Sequence, residues 1–214
     1  MSGRSGNGLK LVLLGGLAAV ATGVGLWLAV WFMERPGEFE PQAATYLEGG
    51  REIADFELVD HREQAFTPGR FEGTWTVVGF GFTNCPDVCP QMLASLSASM
   101  QHWEAAGADD AIEVAFVSVD PERDTVEQLA DYVPYFDERF IGVTGELPEI
   151  NAFTQSVGIA HQRHGEGEDY SVDHSSAVLL INPEGKLQAI FTPPHGSQAL
   201  AEDVLAIRDQ WGHR

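Results

Sequence analysis

The chain has 214 residues, of which 44% are hydrophobic, and 32 acidic against 12 basic side chains give it a formal net charge of −20. This size and composition suit one globular domain with appended segments, and two cysteines are too few for a disulfide-based scaffold. A nucleic-acid-binding protein needs a basic face, so the charge argues against a nucleic-acid partner.

The first predicted element is a helix that spans a membrane. Residues 11–33 read LVLLGGLAAVATGVGLWLAVWFM without a charge, and about 20 apolar residues are enough to cross a bilayer. Arg4 and Lys10 precede this run, so the positive-inside rule places residues 1–10 in the cytoplasm and everything after the helix on the other side. We therefore expect residues 11–33 to contact membrane lipid as a single-pass anchor.

A cleaved signal peptide is the alternative interpretation of this run. The apolar core of a signal peptide is only about 7–15 residues long and is followed by a cleavage site of small residues. The run here is longer, and no such site follows it closely. The ten-residue lead is also short for an organelle transit peptide. We expect a protein of the bacterial inner membrane whose C-terminal domain lies in the periplasm.

Residues 34–50 carry two prolines and a Gly-Gly pair without an apolar period, which predicts a linker before one domain over residues 51–214. Strand and helix patterns then alternate along the domain. They predict a hairpin around residues 60–64, strands over 74–82, 112–119 and 140–143, helices over 86–106, from Asp124 and over 148–157, a hairpin of 176–181 with 186–191, and a final helix over 197–211. This order predicts an α/β fold in which a mixed sheet is flanked by helices on both faces.

Both cysteines, Cys85 and Cys89, lie where the first long strand gives way to a helix. A disulfide across so short a loop would add only about 2 kcal/mol of stability in the chain-entropy model, so a purely structural bridge is a weak interpretation. A helix N-terminus favours thiolate over thiol, which favours a redox-active or metal-binding pair. Three residues separate the cysteines, unlike the C-x-x-C of thioredoxin-type sites or the C-x-x-C-H of haem attachment. Two thiolates are soft ligands that suit Cu(I).

A third ligand would come from one of seven histidines. His174 is the best-placed candidate because it follows a polar segment and precedes a predicted strand, where a sheet could hold it; a capping or hydrogen-bonding role is the alternative. The other six are placed elsewhere: His61 and His102 solvated, His195 near the start of the last helix and His213 near the terminus. His161 and His164 are expected in an exposed loop, with a weak accessory metal site as the alternative. Asp87, between the cysteines, either stays solvated or raises the thiol pKa values.

Three motifs follow one another along the domain: FGFTNCPDVCP at 80–90, VDPERDT at 119–125 and VDHSS at 172–176. Together they resemble the Sco/SenC copper chaperones over about residues 50–210. The resemblance implies a thioredoxin-like fold with copper on Cys85, Cys89 and His174, as Cu(I) and with Cu(II) left open. Asn84 departs from the residue found in many relatives. The 119–125 motif is explained by turn and cap chemistry, so no ligand is assigned to it.

The same resemblance implies a role in assembling the binuclear copper site of cytochrome c oxidase subunit II. Other periplasmic copper carriers or thiol reductants would be further partners. Two alternatives use the cysteines without metal. One is a membrane-tethered thiol–disulfide oxidoreductase that reduces partner cysteines. The other, a peroxidase of the peroxiredoxin kind, is disfavoured because no Thr-x-x-Cys is present: Phe82 and Pro86 stand three residues before the cysteines.

Overall fold

The structure is a computed structural model that describes residues 6–33, 40–165, 167 and 170–212. The chain divides into two units, Met1–Glu40 and Pro41–Arg214. The first contains helix α1, Gly6–Met33. Its segment Leu13–Val30 has a mean hydropathy of 2.0 and is not buried, so it is long and apolar enough to cross a membrane. The predicted span over residues 11–33 falls within this helix.

The second unit contains ten strands and four α-helices within the described residues. The strands are β1 Ala44–Arg51, β2 Leu58–Asp60, β3 Ala65–Phe66, β4 Trp75–Gly81, β5 Ile112–Ser118, β6 Ile141–Thr144, β7 His161–His164, β8 Ser171–His174, β9 Val178–Ile181 and β10 Leu187–Phe191. The helices are α2 Val88–Ala105, α3 Val126–Tyr132, α4 Leu147–Val157 and α5 Ser197–Gly212. Eight strands form one sheet in the order β1-β10-β9-β4-β5-β6-β2-β3, and β7 pairs with β8 in a separate hairpin.

The sheet is mixed, as predicted. Strands β4, β5 and β6 run parallel, while β9 pairs antiparallel with β4 on the other side. Parallel neighbours need crossover connections, which the helices after β4 and β5 supply. The prediction of an α/β fold with a helix-flanked mixed sheet is confirmed.

Strand β4 shows why the helices cover both faces of the sheet. All seven of its residues are buried, and their side chains alternate between the two faces. Phe80 packs against Phe153 of α4, with ring centroids 5.5 Å apart. Gly79 and Gly81 face the other way, where α2 approaches so closely that a Cβ on either glycine would collide with a side chain of that helix. The absence of a Cβ at these two glycines therefore lets the first turns of α2 pack directly against the sheet.

The segment predicted as a linker contributes a strand to the sheet. Residues 44–50 lie in β1, which pairs antiparallel with β10 at the sheet edge, so the linker prediction fails for this stretch. Its start is fixed by the buried carboxylate of Asp203, which accepts hydrogen bonds from the backbone N–H groups of Gln42, Ala43 and Ala44 at 2.9, 2.7 and 3.0 Å. Residues 34–39 of the predicted linker lie outside the described residues.

Two further local predictions differ from the structure. The N-cap of α3 is Thr125, whose hydroxyl accepts from the Gln128 N–H, whereas Asp124 points into the interior. His174 is the last residue of β8, so the β7–β8 hairpin holds it and the main sheet does not. The polar residues of this hairpin gave no strand pattern.

Candidate metal centre

The cysteines sit at the junction between β4 and α2. The loop of residues 82–87 joins the two elements, and a hydrogen bond of 3.2 Å from the Cys85 N–H to the Phe82 carbonyl folds it back. Cys89, in the first turn of α2, is fully buried, and Cys85 is 8% exposed. Both are free thiols. The junction therefore presents a reduced pair at the end of a buried strand.

His174 reaches this pair from the β7–β8 hairpin. It lies two residues after buried Val172, so both side chains point to the inner face of β8. The ring Nδ1 lies 3.0 Å from the Ser175 carbonyl, which can only accept, so Nδ1 carries the proton. Nε2 is then the free nitrogen, and it lies 3.3 Å from the Cys89 sulfur. This arrangement matches the orientation of metal-binding histidines, whose other ring nitrogen donates to a carbonyl or carboxylate.

The ligand atoms of Cys85, Cys89 and His174 all lie within 4.8 Å of one another. Within the described part of the chain, this is the one group of three or more His, Cys, Asp or Glu side chains found to converge as a metal site would require. Phe82 packs edge-on against the His174 ring, with centroids 5.8 Å apart. Two sulfurs and one imidazole within this distance form a donor set that suits a soft cation.

Burial dominates the electrostatics of the site. It raises the pKa of the Cys89 thiol well above its ordinary value, and a hydrogen bond with Cys85 and the charge of Asp124 act in the same direction. The expected thiolate bias from the helix N-terminus is therefore outweighed at Cys89. Burial also lowers the pKa of His174, against opposing effects of the Ser175 carbonyl and Asp173. The site without metal thus favours a neutral thiol at Cys89 and a neutral imidazole at His174.

The remaining described histidines lie outside this group. His102 is exposed, and His164 is an exposed strand residue whose Nε2 lies 3.0 Å from an Asp173 carboxylate oxygen. His161, expected in a loop, pairs with His174 across the β7–β8 hairpin. His61, expected to be solvated, is partly buried and its Nδ1 accepts from the Gly142 N–H at 2.8 Å. His195 contacts the Ser176 carbonyl through Nε2, and His213 lies outside the described residues.

The sequence reasoning missed the role of one buried polar residue beside the site, Asp124, and left the places of Asp87 and Asn84 open. Asp124 is fully buried and bonds to Thr83, two residues before Cys85. Asp87 is instead exposed and accepts a hydrogen bond from Gln91. Asn84 is also exposed, and its side-chain oxygen lies 3.4 Å from the Thr83 hydroxyl. The available signal for Asp124 was its place after a buried strand, because the carboxyl ends of neighbouring parallel strands, and the loops that follow them, meet at one edge of a sheet.

Known proteins resemble this chain in sequence and in fold. The family model described as SCO1/SenC matches residues 44–208. The human protein "Protein SCO2 homolog, mitochondrial" is 34% identical over 202 residues, which cover 93% of this chain and 74% of that protein. Among solved structures, Arabidopsis thaliana ScoI with copper bound is 35% identical with a TM-score of 0.69, covering 74% of this chain and 98% of its own. Bradyrhizobium japonicum ScoI with copper bound is 29% identical with a TM-score of 0.65, covering 72% and 99%.

Proposed function

Because the chain belongs to the SCO1/SenC family, we propose that it is a membrane-anchored copper chaperone whose cargo is held by Cys85, Cys89 and His174. The observation that carries the proposal is the convergence of the three ligand atoms within 4.8 Å. The copper-bound plant and bacterial relatives support copper as the metal. Cu(I) is the state that two thiolates and an imidazole favour.

Copper loading would proceed by exchange of protons for metal. The dithiol gives up its thiol protons as the sulfurs bind, since the thiolate is the form that ligates. The Nε2 lone pair of His174 is already free of its proton, so the imidazole needs no deprotonation. Three protein ligands leave the cation open to a partner's ligands, which allows direct transfer without release into water. Oxidation of the pair to a disulfide would remove both thiolate ligands, so redox state would control loading.

The setting of the domain supports delivery outside the cytoplasm. Helix α1 is long enough to anchor the chain, and Arg4 and Lys10 before it favour a cytoplasmic N-terminus. The domain would then face the periplasm of a bacterium from its inner membrane. There we propose that it serves subunit II of cytochrome c oxidase, receives copper from other carriers and is kept reduced by thiol reductants.

A thiol–disulfide oxidoreductase that carries no metal is the competing function. In that reaction the dithiol would pass two electrons and two protons to a partner disulfide. The His174 imidazole lies 3.3 Å from the Cys89 sulfur through Nε2 and has no required role in such an exchange, whereas a metal site uses it as the third ligand. This contact favours the metal-binding function.

The test is copper binding by the full-length reduced protein in detergent micelles. We expect one Cu(I) per chain, and a large loss of affinity in Cys85→Ser and in His174→Ala, while His174→Ala keeps two titratable thiols. His102→Ala is the matched control because its ring is exposed and it lies at the opposite end of α2 from Cys89. Unchanged affinity in His174→Ala, or no binding by the unsubstituted protein, would refute the proposal.

A further inference from the structure

The segment from Asp120 to Thr125 connects β5 to α3 and supplies no candidate metal ligand. Its two aspartates are nevertheless buried: Asp120 is 4% exposed and Asp124 is 0% exposed. Buried carboxylates are rare unless their oxygens are paired or hydrogen-bonded. We propose that this segment positions both halves of the copper site, with Asp124 holding the cysteine loop and Arg123 with Asp120 holding the His174 hairpin. The inference rests on the proposed copper-binding function.

Asp124 fixes the loop that carries Cys85. One carboxylate oxygen accepts from the Thr83 N–H at 3.0 Å and from the Ser118 hydroxyl at 2.6 Å. The other accepts from the Thr83 hydroxyl at 2.6 Å. Thr83 is thus held by backbone and side chain together, two residues before Cys85. Bonds to an ionised acceptor are the stronger kind of hydrogen bond, so this contact restrains the start of the loop.

Arg123 and Asp120 hold the hairpin through Tyr170, the residue before β8. The Arg123 Nε pairs with one Asp120 oxygen at 2.5 Å, and the Tyr170 hydroxyl donates to the other at 2.5 Å. The Arg123 Nη1 donates to the Tyr170 carbonyl at 3.1 Å, while the guanidinium carbon lies 3.7 Å from the centroid of the Tyr170 ring. Tyr170 is therefore fixed at its backbone, its ring face and its hydroxyl.

Arg123 also approaches the metal ligand through Phe82. Its guanidinium lies 5.6 Å from the Phe82 ring centroid, and Phe82 packs edge-on against His174. One residue thus reaches the His174 hairpin at Tyr170 and the ring beside His174 at Phe82. A substitution of Arg123 would therefore disturb the position of the His174 imidazole through two contacts, Tyr170 and Phe82.

The hairpin depends on such side-chain contacts for its position. In the described residues, β7 and β8 pair with each other and not with the eight-stranded sheet, so no strand ladder sets their distance from the cysteines. The Ser175 N–H to Ala160 carbonyl bond, at 2.8 Å, closes the base of the hairpin onto itself. The Asp120–Arg123–Tyr170 contacts tie this separate unit to the end of β5, next to the strand that leads into the cysteine loop.

The test is a double-mutant cycle that measures Cu(I) affinity by competition with a chelator, using full-length reduced protein in detergent micelles. We expect Arg123→Met to weaken binding about 10–100-fold, the size typical for residues that orient a metal ligand. In the His174→Ala background the same change should weaken binding less than about twofold, because Arg123 acts through that ligand. Asp124→Asn should weaken binding in both backgrounds, since it acts on the cysteine loop.

Arg163→Met is the comparison variant. Arg163 also lies over the Tyr170 ring, at 3.6 Å from its centroid, and pairs with Glu122 of the same segment at 2.6 Å, but both members of that ion pair are exposed, so solvent screening leaves it little effect on the position of the hairpin. This variant should change affinity little. Arg123→Lys, which keeps the charge beside Asp120, replaces Arg123→Met in the cycle if the methionine variant does not fold.

A second measurement needs no copper. The NMR signals of the His174 ring in the metal-free protein should shift or broaden in the Arg123 variant and stay in place in Arg163→Met. Equal loss of copper affinity with and without His174, or unchanged ring signals in the Arg123 variant, would overturn the inference while leaving the proposed function intact. Failure of the unsubstituted protein to bind copper would refute the proposed function instead.

Discussion

Gly81→Ala is the substitution that most directly perturbs the site without replacing a proposed ligand. A Cβ at this position would lie 2.6 Å from the Cys89 sulfur and 2.8 Å from a ring carbon of Phe116. The glycine has no positive φ, so alanine fits its backbone and the whole effect is steric. The alanine methyl group on β4 would overlap the Cys89 sulfur and force it away from the sheet.

The size of the effect follows from these distances. To restore an ordinary contact of 3.4 Å from 2.6 Å, the sulfur has to move by about 0.8 Å relative to β4. Metal–ligand distances in protein sites hold to within about 0.2 Å, so a displacement of this size disturbs the copper geometry. We expect Cu(I) affinity to fall about 10–100-fold. Overpacking should also lower the free energy of unfolding by about 1–3 kcal/mol.

Gly79→Ala separates these two effects. Its Cβ would meet the Met92 side chain, at 2.8 Å from Cε and 3.1 Å from Sδ, on the same strand and the same face. Methionine is flexible, so this variant should lose some stability and keep its copper affinity. Chelator competition and denaturant unfolding measure the two quantities. Equal copper affinity in Gly81→Ala, Gly79→Ala and the unsubstituted protein would refute the placement of Cys89 described above.

Two further predictions concern stability. Asp203→Ala removes the carboxylate that accepts three backbone hydrogen bonds at the start of β1, so we expect the free energy of unfolding to fall by about 2–4 kcal/mol. Exposed Asp209→Ala on the same helix should change it by less than about 0.5 kcal/mol, and similar losses in both variants would contradict this account. At His61, burial and the charge of Arg62 lower the pKa below its ordinary value of 6.5. The unfolded chain therefore takes up the proton first, and stability should be lost as the pH falls below about 6.5 towards the folded pKa. Denaturant unfolding across about pH 5–8 should show a smaller loss of stability with falling pH in His61→Gln than in the unsubstituted protein. An equal loss in both proteins would contradict the assignment.

The parts of the fold that the sequence predicted are those whose signal is local. Apart from Thr76, strand β4 consists of apolar and glycine residues because both of its faces are covered, and α2 keeps apolar residues at helical spacing because it packs on that strand. The cysteine pair was visible for the same reason, since its two members lie four residues apart at a recognisable strand–helix junction.

The parts that were missed depend on distant partners. Strand β1 pairs with β10, whose residues lie more than a hundred positions after β1 in the chain, so the sequence of residues 44–50 alone does not indicate the pairing. The β7–β8 hairpin is largely exposed, and Val172 is the one apolar residue in its two strands, so its sequence shows no apolar–polar alternation of the kind that marks a half-buried strand. Asp124 reads as a helix cap because its true partner, Thr83, is separated from it by 41 residues.

His174 lies between these cases. Its position near a strand end made it a candidate ligand, but chain position could not show which way the ring points. That depends on the hairpin, on the Ser175 carbonyl that sets the protonated nitrogen, and on Phe82 beside the ring. The structure supplies these contacts, and with them the approach of Nε2 to Cys89.

X-ray absorption spectroscopy of the Cu(I)-loaded protein tests the central claim most directly, because it counts the atoms bound to the metal. We predict two sulfur scatterers and one nitrogen scatterer around copper, with the nitrogen lost in His174→Ala and one sulfur lost in Cys85→Ser. A copper site with no nitrogen scatterer, or one whose nitrogen persists unchanged in His174→Ala, would contradict the account.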